Sequence, residues 1–134
     1  MAKQFHCEED RIAADVVKIA YRVHTDLGPG LLESAYCQVF CYLLRKAGYT
    51  VETEKPVPIK YDGLLIGTAF KADVVINDLV IVELKAVQGL EPVFFRQLLT
   101  YLRLAEKRLG LLVNFGAGSM EDQIKRVANG LPEA

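Results

Sequence analysis

Apolar residues recur at helical spacing in four segments of the chain. In residues 9–27 and 31–47 they fall three and four positions apart, with charged side chains on the opposite face. A Gly-Pro-Gly break at residues 28–30 separates these two segments. Residues 91–107 repeat the spacing, and a shorter segment at about 120–128 also has it. The pattern predicts four helices.

Three extended segments lie between the second and third helices. Residues 50–60, 64–76 and 79–87 are rich in apolar and β-branched side chains, and short polar turns separate them. Pro56 and Pro58 cannot donate hydrogen bonds to a neighbouring strand, so the first segment is predicted at the edge of its sheet. Strands joined by such short turns form an antiparallel meander.

A fourth strand is predicted after the third helix. Residues 110–115 form a short apolar run, which is typical of a strand covered on both faces. A strand reached through a crossover helix lies parallel to its neighbour in the sheet. The order predicts the α/β class, with an αβββαβ core, a further helix at each end, and a mixed central sheet flanked by helices. We expect a single domain over residues 1–134.

Composition is that of a globular protein, with 51% hydrophobic and 25% charged residues. No segment approaches the roughly eighteen uncharged apolar residues that span a bilayer. The N-terminal segment has no apolar core and becomes acidic within its first ten residues. We therefore expect a cytoplasmic protein with no membrane partner.

The cysteines indicate reduced thiols. Cys7, Cys37 and Cys41 are an odd number, which argues against a disulfide framework. A zinc site would need a fourth ligand, and the only histidines are His6 and His24. Buried, reduced thiols are the favoured interpretation.

Charge is nearly balanced over the whole chain, with a formal net charge of −1, so overall attraction of nucleic acid is not predicted. Basic side chains outnumber acidic ones between residues 96 and 126, where the acidic residues are Glu106, Glu121 and Asp122. The six basic residues there are Arg96, Arg103, Lys107, Arg108, Lys125 and Arg126. A polyanion held on that side and an ordinary solvated surface both fit this pattern.

Three charged residues interrupt the central apolar strands. Asp73 lies in the second predicted strand, and Glu83 and Lys85 lie two apart in the third, so that these two share a face. Two carboxylates about 4 Å apart would repel by about 4 kcal/mol at an effective dielectric of 20. A proton or a cation must then lie between them, and Mg²⁺ or Mn²⁺ prefers such oxygen ligands. The alternative is a buried Glu–Lys pair beside an unrelated Asp.

The connection between these strands decides whether the carboxylates meet. A two-residue turn at Asn77-Asp78 would pair Asp73 with Val82 and place the carboxylates on opposite faces. A shared site therefore requires a connection of odd length, such as residues 77–79, or a bulge.

The motifs resemble those of a known superfamily. The segment AFKADVVINDLVIVELKAV at residues 69–87 resembles the D…ExK signature of the PD-(D/E)XK nucleases, whose restriction-endonuclease-like core has the predicted αβββαβ order. Residues 30–36 read GxxExxY and resemble the small family named for that pattern. Residues 97–101 read QxxxY, similar to the RecB-like branch. The NFG at 114–116 and the IKR at 124–126 also resemble the small family.

The resemblance implies a divalent metal site. Its ligands would be Asp73, Glu83, Glu33 and the backbone carbonyl of Leu84, holding Mg²⁺ with Mn²⁺ as a substitute. For Glu33 an alternative is open, because a Gly30 N-cap with Glu33 three residues later is a capping-box arrangement.

The resemblance also implies catalytic and substrate-binding residues. Lys85 would act on the attacking water together with Glu83 and Asp73, and Gln97 and Tyr101 would line the site. The candidate substrate contacts are Arg96, Lys125, Arg126 and Tyr36. Tyr36 also fits a core aromatic, and Gln97 and Tyr101 also fit an amphipathic boundary. Members of the small family often carry a histidine before QxxxY; residues 93–96 contain none, so its role is lost or taken over by Arg96.

The function predicted from the resemblance is Mg²⁺-dependent hydrolysis of phosphodiester bonds, with DNA favoured over RNA. The alternative is a nuclease-fold protein, weak or inactive in catalysis, that binds nucleic acid or a partner protein. A chain this small is also a candidate for a homo-oligomer.

Overall fold

Three helices flank the sheet in the computed structural model, which describes residues 4–132. Helix α1 covers Glu8–Leu27, α2 covers Glu33–Lys46 and α3 covers Pro92–Ala105. Helices α1 and α2 pack together on one face of the sheet, and α3 packs on the other. The three longer helices predicted from the sequence are therefore confirmed. None of the helices in the described part of the chain combines the length and apolar character needed to cross a membrane.

Five strands form one mixed sheet in the order β1-β2-β3-β4-β5. Strand β1 covers Val51–Tyr61, β2 Leu64–Ile76, β3 Val80–Lys85, β4 Leu109–Asn114 and β5 Ile124–Ala128. Strands β1, β2 and β3 form an antiparallel meander, and β4 lies parallel to β3. The predicted edge position of β1 and the parallel crossover strand are confirmed.

The helix predicted at about 120–128 is wrong, because residues Ile124–Ala128 form β5, antiparallel to β4. Ile124 packs against the apolar cluster beneath α1 and α2, whereas Val127 packs against the cluster beneath α3. A helix would place residues three apart on one face. A strand places them on opposite faces, so pairing with β4 covers both clusters and overrides the local periodicity.

Strand β3 lies in the middle of the sheet and is buried on both faces. Val80 and Val82 pack beneath α1 and α2, and Ile81 packs beneath α3. Because successive side chains alternate, Glu83 and Lys85 belong to the face that α3 covers. The charged residues are therefore presented toward the helix that carries Gln97 and Tyr101.

A buried asparagine fixes the segment that follows β3. Asn114 is fully buried at the end of β4, and its side chain accepts hydrogen bonds from the backbone N–H groups of Val87 and Gly116 at 3.0 Å each. Its amide group donates to the Val87 carbonyl at 3.0 Å and to the Gln123 side chain at 2.8 Å. The NFG motif thus anchors the chain two residues beyond Lys85.

Substitution of Gly116 tests this anchor. A Cβ atom there would lie 2.4 Å from the backbone N and O atoms of Val87, so Gly116→Ala must displace backbone. We expect the free energy of unfolding to fall by about 1–3 kcal/mol, measured by urea denaturation. Gly118→Ala is the matched control, because a Cβ atom there meets nothing within 4 Å. Equal stability of the two variants would contradict the predicted close approach.

Candidate active site

The candidate site lies where β2 and β3 separate. Their pairing runs from Ile76 opposite Val80 to Val74 opposite Val82, which places Asp73 across from Glu83 at the next position. The connection is the three-residue loop at 77–79, closed by a 2.9 Å hydrogen bond from the Leu79 N–H to the Ile76 carbonyl. The odd-length connection that a shared site requires is therefore confirmed.

The point where β2 and β3 separate is called the fork below. Two side-chain-to-backbone hydrogen bonds bridge it. Asp73 donates its backbone N–H to Oε2 of Glu83 at 3.0 Å, and Leu84 donates its N–H to Oδ2 of Asp73 at 3.0 Å. On its other side, Asp73 faces Glu54, whose φ of 49° is in the left-handed region. The pairing of β1 with β2 passes from Thr53–Val74 to Lys55–Ala72 without a Glu54–Asp73 pair. The pairing of β2 is therefore interrupted on both sides at Asp73, and carboxylate hydrogen bonds replace the backbone ladder toward β3.

At neutral pH, Glu83 is mostly protonated when no cation is bound. Its side chain is 7% exposed. Burial, followed by the negative charge of Asp73, raises the pKa of Glu83 to about 8. Two nearby carboxylates with one strongly raised pKa are the behaviour expected when both cannot ionise together.

The donor set suits a hard divalent cation. Asp73 and Glu83 each use one carboxylate oxygen on a backbone N–H, which leaves further lone pairs for a metal. The backbone N–H of Leu84 is bound to Asp73, and its carbonyl stays a predicted ligand. Among residues 4–132 no group of three or more His, Cys, Asp or Glu side chains is placed to hold a metal ion. Water would therefore complete the coordination, which Mg²⁺ favours.

Glu33 lies near this site but does not join the carboxylate pair. It lines the same cavity as Asp73, a space of about 500 Å³ between α2 and the fork. Helix α2 begins at Glu33 with Leu32 as its N-cap. The interpretation of Gly30 and Glu33 as a capping box is wrong, because Glu33 is the first helical residue rather than the third.

Lys85 is directed toward α3 rather than into an ion pair. Its Nζ atom lies 4.6 Å from the centroid of the Phe94 ring, a distance at which an ammonium group is attracted to the ring face. No ion pair joins Lys85 to a carboxylate in the described residues. The alternative of a Glu83–Lys85 ion pair is therefore not realised. Phe94 was not identified from the sequence, where it reads as an ordinary apolar position of α3.

Tyr101 extends the site along α3. Its ring stacks on Phe70 of β2, with centroids 3.9 Å apart and planes at 8°. Burial raises the pKa of Tyr101, and the charges of Glu83 and Asp73 raise it further, so the hydroxyl lies within electrostatic reach of both carboxylates. Gln97 is exposed one turn earlier on the same helix. Phe70 was another residue that sequence periodicity did not single out.

The expectation of a substrate contact at Tyr36 is wrong. Tyr36 is fully buried and stacks on Phe115, with ring centroids 4.8 Å apart. Its hydroxyl donates to the Gly28 carbonyl at 2.5 Å and accepts the Leu31 N–H at 3.2 Å. Tyr36 therefore fixes the loop between α1 and α2, and no atom of its side chain is accessible.

The basic residues of the C-terminal third do not form one free patch. Arg126 faces α1 and pairs with Asp10, and Arg108 pairs with the buried Glu9 at 2.7 Å. Lys107 pairs with Asp78 at 3.0 Å. The prediction of Arg126 as a substrate contact is not supported, because it lies across the sheet from Glu83 and already has a partner.

The two remaining candidate contacts lie on the α3 side. Lys125 is opposite Leu112, which packs in the cluster beneath α3, and its Nζ atom is 3.9 Å from Asp122. Arg96 is exposed in the first turns of α3 and makes no ion pair within residues 4–132. Arg96 thus remains available to an anionic ligand.

Comparisons with known proteins identify one matching family. The family model described as the PD-(D/E)XK nuclease superfamily matches residues 10–127. The crystal structure of the protein SSO0001 is similar, with 20% sequence identity and a TM-score of 0.49. The match covers 91% of this chain and 62% of the other chain. A search of curated proteins gave no significant match. The finer assignment to the GxxExxY family and the QxxxY branch stays a prediction.

The burial of Glu83, together with the charge of Asp73, should make stability depend on pH. Between pH 4.5, the ordinary pKa, and about 8, the unfolded chain ionises Glu83 while the folded chain keeps it protonated. Glu83 then lowers the free energy of unfolding by up to about 1.4 kcal/mol per pH unit as pH rises. Glu83→Gln removes this titration. In EDTA, urea denaturation should show the variant gaining stability relative to the unsubstituted protein as pH rises through this interval.

Glu121→Gln, at an exposed position, is the control for this measurement. Its stability relative to the unsubstituted protein should not change across the same pH range. If the stability of Glu83→Gln relative to the unsubstituted protein is equally independent of pH, Glu83 is not held protonated in the folded state.

Proposed function

Because the chain belongs to the PD-(D/E)XK nuclease superfamily, whose members are nucleases, we propose that it is a Mg²⁺-dependent nuclease that hydrolyses phosphodiester bonds of DNA. The observation that carries the proposal is the carboxylate pair at the fork, in which Asp73 and Glu83 each bind the backbone of the other strand. The DNA substrate rests on the resemblance of the motifs.

Asp73 and Glu83 would hold the cation, and the Leu84 carbonyl and water would be the other ligands. When bound, Mg²⁺ lowers the pKa of coordinated water and stabilises negative charge that develops on the phosphate. Mn²⁺ has the same preference for oxygen ligands and substitutes for it. The raised pKa of Glu83 means that cation binding near neutral pH releases a proton.

Lys85 orients the attacking water. Its ammonium group is held beside the Phe94 ring and makes no ion pair with any residue from 4 to 132, so its N–H groups can donate to water or to a phosphate oxygen. Glu83 and Lys85 occupy the same face of β3, two residues apart, which places the ammonium group next to the carboxylate pair. This is the arrangement needed to position a nucleophile against phosphorus.

Residues of α3 contact the substrate, and Glu33 of α2 acts at the cation site. The hydroxyl of Tyr101 and the amide of Gln97 donate to non-bridging phosphate oxygens near the carboxylates, and Arg96 provides positive charge for a neighbouring phosphate. Arg96 thereby supplies the cationic group that the absent histidine would otherwise provide. Glu33 reaches the site from the cavity wall, through water bound to the cation.

A second candidate function is nucleic-acid or protein binding without cleavage. The observation that favours it is the small ligand set, since no third acidic, histidine or cysteine side chain within residues 4–132 joins the carboxylate pair. Incubation of the purified protein with single-stranded and double-stranded DNA and RNA separates the two functions. Cleavage in Mg²⁺ or Mn²⁺, abolished by EDTA, is expected only of the nuclease.

The decisive variant is Lys85→Ala. We expect it to reduce the cleavage rate by at least about a hundredfold, because a positioned proton donor contributes that much or more, while the fold and Mg²⁺ binding persist. Lys18→Ala, exposed on α1, is the matched control and should cut at the normal rate. Loss of cleavage in Glu83→Ala excludes a contaminating nuclease. Full activity of Lys85→Ala would refute the proposed role.

A further inference from the structure

Helix α2 presents two thiols to the cavity that Asp73 lines. Cys37 and Cys41 are one helical turn apart, and their Sγ atoms lie 3.9 Å from each other. Both cysteines belong to the wall of the cavity of about 500 Å³, together with Glu33, Glu54 and Asp73. Neither thiol has a role in the proposed hydrolysis.

The spacing of the two sulfur atoms matches that of two ligands on one metal ion. At a Zn–S distance of about 2.3 Å and tetrahedral geometry, two thiolates lie roughly 3.8 Å apart. Cys37 and Cys41 are four residues apart on a helix, which is also the spacing at which paired histidines bind zinc. The pair therefore requires almost no rearrangement to chelate a cation.

The surroundings of the thiols favour a positively charged ligand. Cys41 is 2% exposed, and Cys37 is partly exposed toward the cavity. The hydrogen bond between the two thiols lowers the pKa of Cys37 and, together with burial, raises the pKa of Cys41, so Cys37 is the thiol that ionises first. The nearby guanidinium of Arg45 is fixed by a 3.0 Å hydrogen bond to the Val51 carbonyl, and acidic side chains occupy the remaining charged positions of the cavity wall.

We propose that Cys37 and Cys41 form a binding site for a thiophilic divalent cation of the zinc and cadmium class, distinct from the hard-cation site at Asp73 and Glu83. Thiolates select soft cations, whereas carboxylate and carbonyl oxygens select Mg²⁺ and Mn²⁺. No third His, Cys, Asp or Glu of the described residues completes a ligand group with the thiols. Water from the cavity fills the remaining coordination positions.

Occupancy of this site would affect the neighbouring chemistry. A cation held by the thiols would occupy the cavity that Asp73 also lines, so it would add positive charge close to that carboxylate. Any effect on hydrolysis rests on the proposed nuclease function, whereas the binding of the cation does not.

Titration with Cd²⁺ tests the site directly. The protein is kept reduced and in excess Mg²⁺, so that the carboxylates are occupied, and the ultraviolet charge-transfer band of cadmium–thiolate bonds is followed. We expect one equivalent of Cd²⁺ to saturate the band. Cys37→Ser and Cys41→Ser should each weaken binding by at least about tenfold, because one of two thiolate ligands is lost.

Cys7→Ser is the matched control, because Cys7 is the N-cap of α1 and does not line the cavity. It should bind Cd²⁺ as the unsubstituted protein does. Circular dichroism verifies that each variant is folded. If Cys41→Ser unfolds, Cys37→Ser is the decisive variant, because Cys37 is partly exposed. An absent band, or a Cys37→Ser isotherm identical to that of the control, would overturn the proposal. Since no cleavage is measured, a failure of the nuclease proposal leaves this result unaffected.

Discussion

Repulsion between two carboxylates at the fork of β2 and β3 is the interaction on which the site depends. Asp73 and Glu83 cannot move apart freely, because each carboxylate accepts a backbone N–H of the opposite strand. With Glu83 buried, one of the two negative charges must be neutralised. A proton does this when no cation is present, which is why the pKa of Glu83 rises to about 8. The fold itself therefore requires a proton or a cation at this position.

The loop between β2 and β3 sets this pairing. Asn77 and Asp78 have φ values of 51° and 55°, in the left-handed region that Asn and Asp tolerate better than most residues. Asn77 is also tied to the start of β1, through hydrogen bonds of 2.8 Å between its N–H and the Thr50 carbonyl and between its side chain and the Thr50 N–H. A loop shorter by one residue would turn the two carboxylates to opposite faces.

Much of this arrangement was predictable from local pattern, and the exceptions share one cause. The spacing of apolar residues predicted the order of the core elements. The alternation of side chains along β2 and β3 predicted the odd-length connection between them. Strand β5 was missed because Ile124 and Val127 acquire opposite partners only when β4 is present. Tyr36 and Arg126 were assigned to the substrate because their partners, Phe115 and Asp10, are far away in the sequence. Contacts between distant segments decided each of these cases.

The position of Lys85 distinguishes this site from a structural ion pair. A lysine next to two carboxylates would ordinarily neutralise one of them, and the raised pKa of Glu83 would then disappear. Here the ammonium group lies over the Phe94 ring, and its charge is the smallest of the influences on the pKa of Glu83. Helix α3 thus holds the ammonium group over the Phe94 ring instead of in an ion pair with either carboxylate. Its N–H donors stay available for a ligand, which a buried Glu–Lys pair would not allow.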